Sequence, residues 1–186
     1  MREKLAGIIL AAGLGTRMKS DKAKVLHEVL GRPMILYVAE TAKQIADEVV
    51  LVIGHQAEKV REIVSERYDV RFALQEKQLG TGHAVSCALP AVSENIGEVL
   101  ILCGDVPLIR PDTLISFTGE HLKSERDISL LAVEVEDPRG YGRILTDDQM
   151  NLVGIVEEAD ATAEQKKIKR INTGIYCVKK DFLAGA

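Results

Sequence analysis

Apolar residues come in short, nearly continuous runs, separated by segments in which they recur every three or four positions. The first run, Leu5–Leu10, ends in Ala11-Ala12-Gly13 and predicts a buried strand leading into a glycine loop. Behind a turn at Gly31-Arg32-Pro33, with proline at the helix start, Met34, Tyr37, Val38, Thr41, Ala42 and Ile45 repeat at helical spacing. Val49–Ile53, closed by Gly54, is a second strand, and Val60, Ile63 and Val64 mark a second amphipathic helix. Val70–Leu74 and Val99–Cys103 are two further strands. Between them Gly82–Leu89 predicts a helix that stops near Pro90, and Pro111–Lys123 predicts another, opened by proline.

Apolar strands alternating with helices imply an α/β fold: a Rossmann-like, mostly parallel sheet with helices on both faces. Ligands in such sheets bind beyond the carboxyl ends of the strands, which directs attention to the loops after Leu10, Leu74 and Cys103. After Ser124 the pattern changes. Ile128–Val135, Gly142–Thr146, a turn at Asp147-Asp148, Leu152–Val156 and Ile171–Val178 predict an antiparallel β extension. No internal repeat is visible, and in particular no hexapeptide repeat of the left-handed β-helix kind.

Composition narrows the class. Hydrophobic residues at 46% and charged residues at 28% suit a globular domain, and no segment approaches the roughly 20 apolar residues of a membrane span. No membrane association and no export signal are expected, because the first apolar run breaks at once into the glycine loop. Cys87, Cys103 and Cys177 are odd in number and widely spaced, and the four histidines form no local motif, so neither a disulfide framework nor a zinc site is expected. The setting expected is cytoplasmic. A net charge of −4 argues against a nucleic-acid partner. Yet Arg17, Lys19, Lys22 and Lys24 fall close together, opposed by Asp21 alone, a local patch suited to a small polyanion or, more plainly, a solvated loop.

That patch belongs to the motif Leu10-Ala11-Ala12-Gly13-Leu14-Gly15-Thr16-Arg17-Met18, followed by Lys24. Its small residues let backbone amides approach an anion, while Arg17 and Lys24 neutralise phosphate charge in different geometries. It lacks the spacing of a Walker loop, and Met18 stands where a dinucleotide fingerprint needs its third glycine. A dinucleotide module is therefore ranked low, and a glycine loop that merely permits tight contact is the plainer alternative.

Six later segments follow in order: Ala23-Lys24-Val25-Leu26-His27; Gln75 through Ala84 (QEKQLGTGHA); Gly104-Asp105-Val106-Pro107-Leu108; Gly140-Tyr141-Gly142-Arg143-Ile144; Ile155–Thr162; and Ile171–Tyr176. With the first loop, this series resembles the sugar-phosphate nucleotidyltransferases, and among them the bacterial uridylyltransferase domains that act on N-acetylglucosamine 1-phosphate. The resemblance covers nearly the whole chain. It implies Mg²⁺-dependent transfer of UMP from UTP to N-acetylglucosamine 1-phosphate, giving UDP-N-acetylglucosamine for cell-wall synthesis and releasing pyrophosphate.

By that resemblance Arg17, Lys24 and Asp105 are catalytic, with Asp105 the magnesium ligand. Leu10, Ala11, Ala12, Gly13, Gly15, Thr16, Arg17, Lys24, Gln75, Gly80, Thr81, Cys103, Gly104 and Asp105 bind nucleotide, and Gly142, Glu157 and Asn172 bind the sugar. The residue types are apt: a glutamine amide can read a base edge, and a carboxylate after a buried strand can hold a hard cation. Taken singly, each has a plainer reading: Gln75 as a polar strand end, Asp105 as a turn cap, Glu157 as a surface charge, Asn172 as a turn residue. Two positions depart from the pattern, Cys103 where a tyrosine is common and Ala23 where a proline is. The expectation is a uridylyltransferase domain over 1–186, C-terminally incomplete, with a nucleotide-binding half 1–123 and a sugar-phosphate half 124–186. A second metal ligand, an asparagine, and the trimer contact are expected beyond residue 186. A related transferase for another nucleotide or sugar, or a nucleotide-binding module without turnover, are the rivals.

Overall fold

The computed structural model describes residues 3–15 and 18–185, which divide into two compact units. The larger runs to Ser129 and takes in the chain again from Tyr176; the smaller is Leu130–Ile175.

In the larger unit, strands β1 (Leu5–Leu10), β4 (Glu48–Ile53), β5 (Arg71–Leu74) and β6 (Glu98–Cys103) are parallel, in the order β5-β4-β1-β6. The last residues of strand β10 (Arg170–Lys179) add antiparallel beside β6, Tyr176 opposite Ile101 and Lys179 opposite Glu98. Apart from Glu48 and Glu98 at their starts, β4 and β6 are apolar like β1 because all three are covered on both sides, whereas the edge strand β5 buries only Ala73 fully. Ile8, Val50, Val52 and Ile101 meet Ala84, Val85 and Ala88 of helix α3 (Thr81–Ala88). The alternate residues Ile9, Leu51, Ile53, Leu100 and Leu102 are equally buried, and helix α1 (Met34–Ile45) covers β1 and β4 beside helix α4 (Pro111–Ser124). Helix α2 (Ala57–Ser65) inserts Val60 and Val64.

Register decides where the strands end. Leu10 is opposite both Cys103 of β6 and Val52 of β4, and Ile53 is opposite Leu74 of β5, so the carboxyl ends of four strands finish together. The chain leaves β1 on one side to build β4 and β5, then returns to place β6 on the other. The break in strand order falls between β1 and β6, where a doubly wound sheet opens a crevice.

The turn expected at Gly31-Arg32-Pro33 is displaced by one residue. Strands β2 (Glu28–Val29) and β3 (Arg32–Pro33) form a hairpin around Leu30 and Gly31, both at positive φ, and Pro33 precedes α1 as its cap. Tyr68 lies past the end of α2, where its hydroxyl accepts from Arg32 at 2.7 Å.

In the smaller unit, β8 (Arg143–Thr146) pairs antiparallel with β9 (Leu152–Val156), and Arg143 is opposite Ile171 of β10. Strand β7 (Ile128–Glu134) flanks β10, and the Thr173 hydroxyl donates to the Leu131 carbonyl at 2.5 Å. Arg143 is fully buried here; its guanidinium bonds the Tyr141 carbonyl and reaches Glu158 at 2.6 Å. The Arg143 guanidinium, with help from the Gly140 amide, holds the Glu158 carboxyl below its ordinary range. A short helix, α5 (Lys180–Ala184), follows β10.

Candidate functional site

Beyond the joined strand ends lies a cavity of about 510 Å³. Three loops that are distant in sequence line it. Leu10, Ala11, Ala12, Gly13 and Gly15 come from the loop after β1 and Lys24 from just beyond it; Gln75, Gly80 and Thr81 follow β5; Cys103 and Asp105 follow β6. Met18, Val25, Gln78 and Ala84 complete the lining; all four sit inside the motifs quoted above, yet none carries a site role in the sequence reading. Thr16 and Arg17, both expected here, lie outside the described residues.

The loop after β1 is held at its root and open at its tip. Ala11 donates to the Val52 carbonyl at 2.9 Å and Ala12 accepts from His55 at 3.4 Å, so both alanines are buried between neighbouring strands. The amides of Gly13, Leu14 and Gly15 donate to no other described residue, which leaves backbone donors for an anion. Gly15 is doubly constrained: φ is +63°, and a Cβ there would lie 2.7 Å from Cβ of Lys24. Gly54 is missed as a site residue by sequence reasoning. A Cβ at that position would come within 3.0 Å of Ala12 and of the Gln75 carbonyl, so its lack of a side chain lets the loops after β1 and β5 approach. Gly104 does not line the cavity; it sits beneath it, 3.0 Å from Ile35 and the Leu10 carbonyl by the same measure, and its amide donates to Leu10 at 2.9 Å.

Lys24 opens a short 3₁₀ turn, Lys24–Leu26, in which Val25 and Leu26 are buried. With Ala23 also buried, the lysine between them is turned outward, and its ammonium forms an ion pair with Asp105. Ala23 uses the amide that a proline would lack: it donates to Gln56 Oε1 at 3.1 Å, while Gln56 Nε2 donates to the Asp21 carbonyl at 2.6 Å. Gln56 thus staples the loop that delivers Lys24. Lys22, the other described lysine of the patch with a partner, reaches Glu28 at 3.4 Å.

Burial, with the nearby Asp105 carboxylate adding to it, pushes the Cys103 thiol up to about 11. The sulfur is therefore a protonated, poor ligand near neutrality, and the ionisable oxygen donor beside it is the Asp105 carboxylate. One carboxylate on a cavity roomy enough for a phosphorylated ligand suits a hard cation such as Mg²⁺, which takes few protein oxygens and shares the rest with substrate phosphates.

The three residues expected to hold sugar meet in the smaller unit. A Cβ on Gly142 would be 2.9 Å from Glu157 Oε1, and Asn172 donates its amide to the Gly142 carbonyl at 2.9 Å. Asn172 Oδ1 in turn accepts from Gly174 at 2.9 Å.

Folding also assembles a cluster that residue spacing does not reveal. Glu98, His121 and Cys177 bring ligand-type atoms within 4.8 Å of one another at the opposite end of β6 from Cys103. His121 Nε2 bonds Glu98 at 3.1 Å and Nδ1 bonds Ser129 at 2.7 Å, so both ring nitrogens have protein partners.

A glycine loop, a paired lysine and aspartate and a buried glutamine at a doubly wound switch point define a nucleotide-handling α/β domain. The chain belongs to the MobA-like NTP transferase domain family, whose model matches residues 7–166. It is 50% identical over 181 residues to the bifunctional protein GlmU of Geotalea daltonii, covering 97% of this chain and 40% of that protein. The GlmU of Desulfotalea psychrophila is 49% identical over 180 residues, 96% of this chain and 53% of its own length. The chain thus spans about 40% of the length of the first curated relatives it matches. Among solved structures, HddC of Yersinia pseudotuberculosis in complex with GMP-PN has a TM-score of 0.74 at 22% identity, over 97% of this chain and 79% of that one. CMP:2-keto-3-deoxy-manno-octonic acid synthetase complexed with CTP has a TM-score of 0.73 at 18% identity, over 98% and 77%. These two establish a shared fold. Among the described residues no helix is long and apolar enough to cross a membrane.

Proposed function

We propose that the chain carries the site that transfers UMP from UTP to N-acetylglucosamine 1-phosphate, giving UDP-N-acetylglucosamine and pyrophosphate. The observation that carries this reading is the convergence on one cavity at the switch point of loop amides that donate to no other described residue, the Lys24–Asp105 pair and Gln75. An oxygen of the sugar phosphate attacks the α-phosphorus of the nucleotide in line, an O–P bond forms, and the bond to the pyrophosphate oxygen breaks. The attacking phosphate is already an anion, so the protein supplies no nucleophile. Its task is to align two polyanions and to offset their charge.

The loop amides and Lys24 receive the triphosphate, with Arg17 as the second cation of that loop, and Gln75 with Gly80 and Thr81 reads the base. Asp105 would hold Mg²⁺, which when bound screens the charge shared by the phosphates. Lys24 neutralises the same carboxylate, so ligand binding exchanges one cation partner of Asp105 for another. Gly142, Glu157 and Asn172 receive the sugar through backbone and side-chain hydrogen bonds. The same reading makes it a cytoplasmic enzyme supplying cell-wall precursor.

The test is pyrophosphate release from UTP and N-acetylglucosamine 1-phosphate with Mg²⁺, run beside CTP, dTTP and glucose 1-phosphate. Preferred turnover of the named pair supports the reading. Faster turnover of another pair assigns a related transferase, and tight UTP binding without turnover assigns a nucleotide-binding module.

A further inference from the structure

Gln75 is buried although it lines the cavity, and its amide is not free to choose its orientation. Nε2 lies 3.1 Å from the carbonyl oxygen of Gly80. That atom only accepts, so the amide end facing it must be the NH₂ group. Nε2 also lies 3.0 Å from Nδ1 of His83, in the first turn of α3. Because the amide nitrogen only donates, Nδ1 must accept, and in the neutral ring the proton is carried by Nε2. That nitrogen faces the Cys87 sulfur at 3.8 Å, a weak acceptor placed one further helical turn along.

From this chain of contacts we infer that His83 is a positioning residue that sets base specificity, by clamping the Gln75 amide so that only its oxygen remains for a ligand. Both hydrogens of the NH₂ group are committed, one to Gly80 and one to His83. Among the described residues Oε1 accepts no hydrogen bond. An acceptor in that position suits a pyrimidine with an imide N–H, uracil or thymine, and meets the ring nitrogen of cytosine lone pair to lone pair. Without His83 one amide hydrogen is released and a single bond to Gly80 holds the side chain, so the acceptor is no longer enforced. The inference rests on the nucleotide site proposed above but concerns the device that tunes it.

Two measurements separate its failure from failure of that site. In nucleotide-free protein, ¹⁵N-resolved histidine spectra are expected to show His83 protonated at Nε2 and bare at Nδ1; the opposite tautomer overturns the clamp whether or not UTP binds. Calorimetric affinities for UTP and CTP are then compared in wild type, His83→Leu and His83→Asn. The leucine variant is expected to narrow the UTP-over-CTP ratio by about 3- to 10-fold, the worth of one hydrogen bond. Asparagine, which can put an amide oxygen where Nδ1 lies, is expected to keep most of the ratio. A full ratio in His83→Leu, or an equal loss in both variants, refutes the positioning role. Should His83→Leu fail to fold, the tautomer and His83→Asn still decide.

Discussion

Replacing Gly15 with alanine adds one methyl group at a point where the structure has no room for it in two separate senses. The backbone is at φ +63°, which costs a residue with a Cβ about 1–2 kcal/mol. The new carbon would also lie 2.7 Å from Cβ of Lys24, an atom fixed to the backbone and flanked by the buried Ala23 and Val25, so it cannot swing aside. Overpacking of this kind costs about 1–3 kcal/mol. The combined cost, about 2–5 kcal/mol, is met by lost stability or by displacement of Lys24 from Asp105. Two further variants separate the contributions. Gly31→Ala, at φ +76° with nothing within 4 Å of the added carbon, isolates the backbone cost. Gly54→Ala, without positive φ but with three atoms within 3.0 Å, isolates the contact. Urea unfolding of the three variants, with UTP binding by calorimetry, is the assay. Gly15→Ala should be more destabilised than Gly31→Ala or should weaken UTP binding where Gly31→Ala does not. If Gly15→Ala matches Gly31→Ala in both measurements, the close approach of the loop to Lys24 is not a constraint and the reasoning fails.

Burial raises the Glu98 carboxyl above its ordinary range while His121 opposes that shift, so the folded state holds this proton more tightly than the unfolded chain does. The Glu98 contribution to stability is therefore complete below the unfolded pKa and is lost as pH rises through the folded one; urea melts across roughly pH 4 to 8 should show this decline and Glu98→Gln should flatten it, whereas an identical slope in the variant refutes the assignment. With its thiol at about 11, Cys103 should be a thiolate in only about 1 molecule in 1,000 at pH 8, so its alkylation, followed peptide by peptide, should still be rising at pH 10; a plateau below pH 9 contradicts the burial argument. Asp105→Asn should weaken the dependence of turnover on Mg²⁺ without unfolding the chain, and activity indifferent to chelator contradicts the cation reading. Arg17→Ala should chiefly lower the catalytic rate, and unchanged turnover removes its role.

Most of the larger unit is legible in the chain because β1, β4 and β6 are buried on both faces, so they appear as nearly continuous apolar runs that give way to small residues at Ala11, Gly54 and Gly104. The smaller unit is less so. Of its strands only Arg143-Ile144, within β8, and Ile171 and Ile175 of β10 are buried, and the most enclosed side chain among them is an arginine that no hydropathy pattern places inside. The residue pattern puts the turn one residue later than the hairpin at Leu30 because leucine at positive φ carries no sequence signal.

Periodicity and residue chemistry are local properties, so the α/β class, the glycine loop, and the lysine, aspartate and glutamine of the site can be read along the chain. Which of them meet depends on the folded arrangement. Strand register aligned Leu10, Leu74 and Cys103 at one edge, and this alone paired Lys24 with Asp105 across about eighty residues of chain. It likewise showed that Gly54 makes room for Ala12, that Gln56 holds Ala23, and that His83 holds Gln75. Such supporting contacts depend on distances between elements far apart in sequence, and no spacing along one chain encodes them.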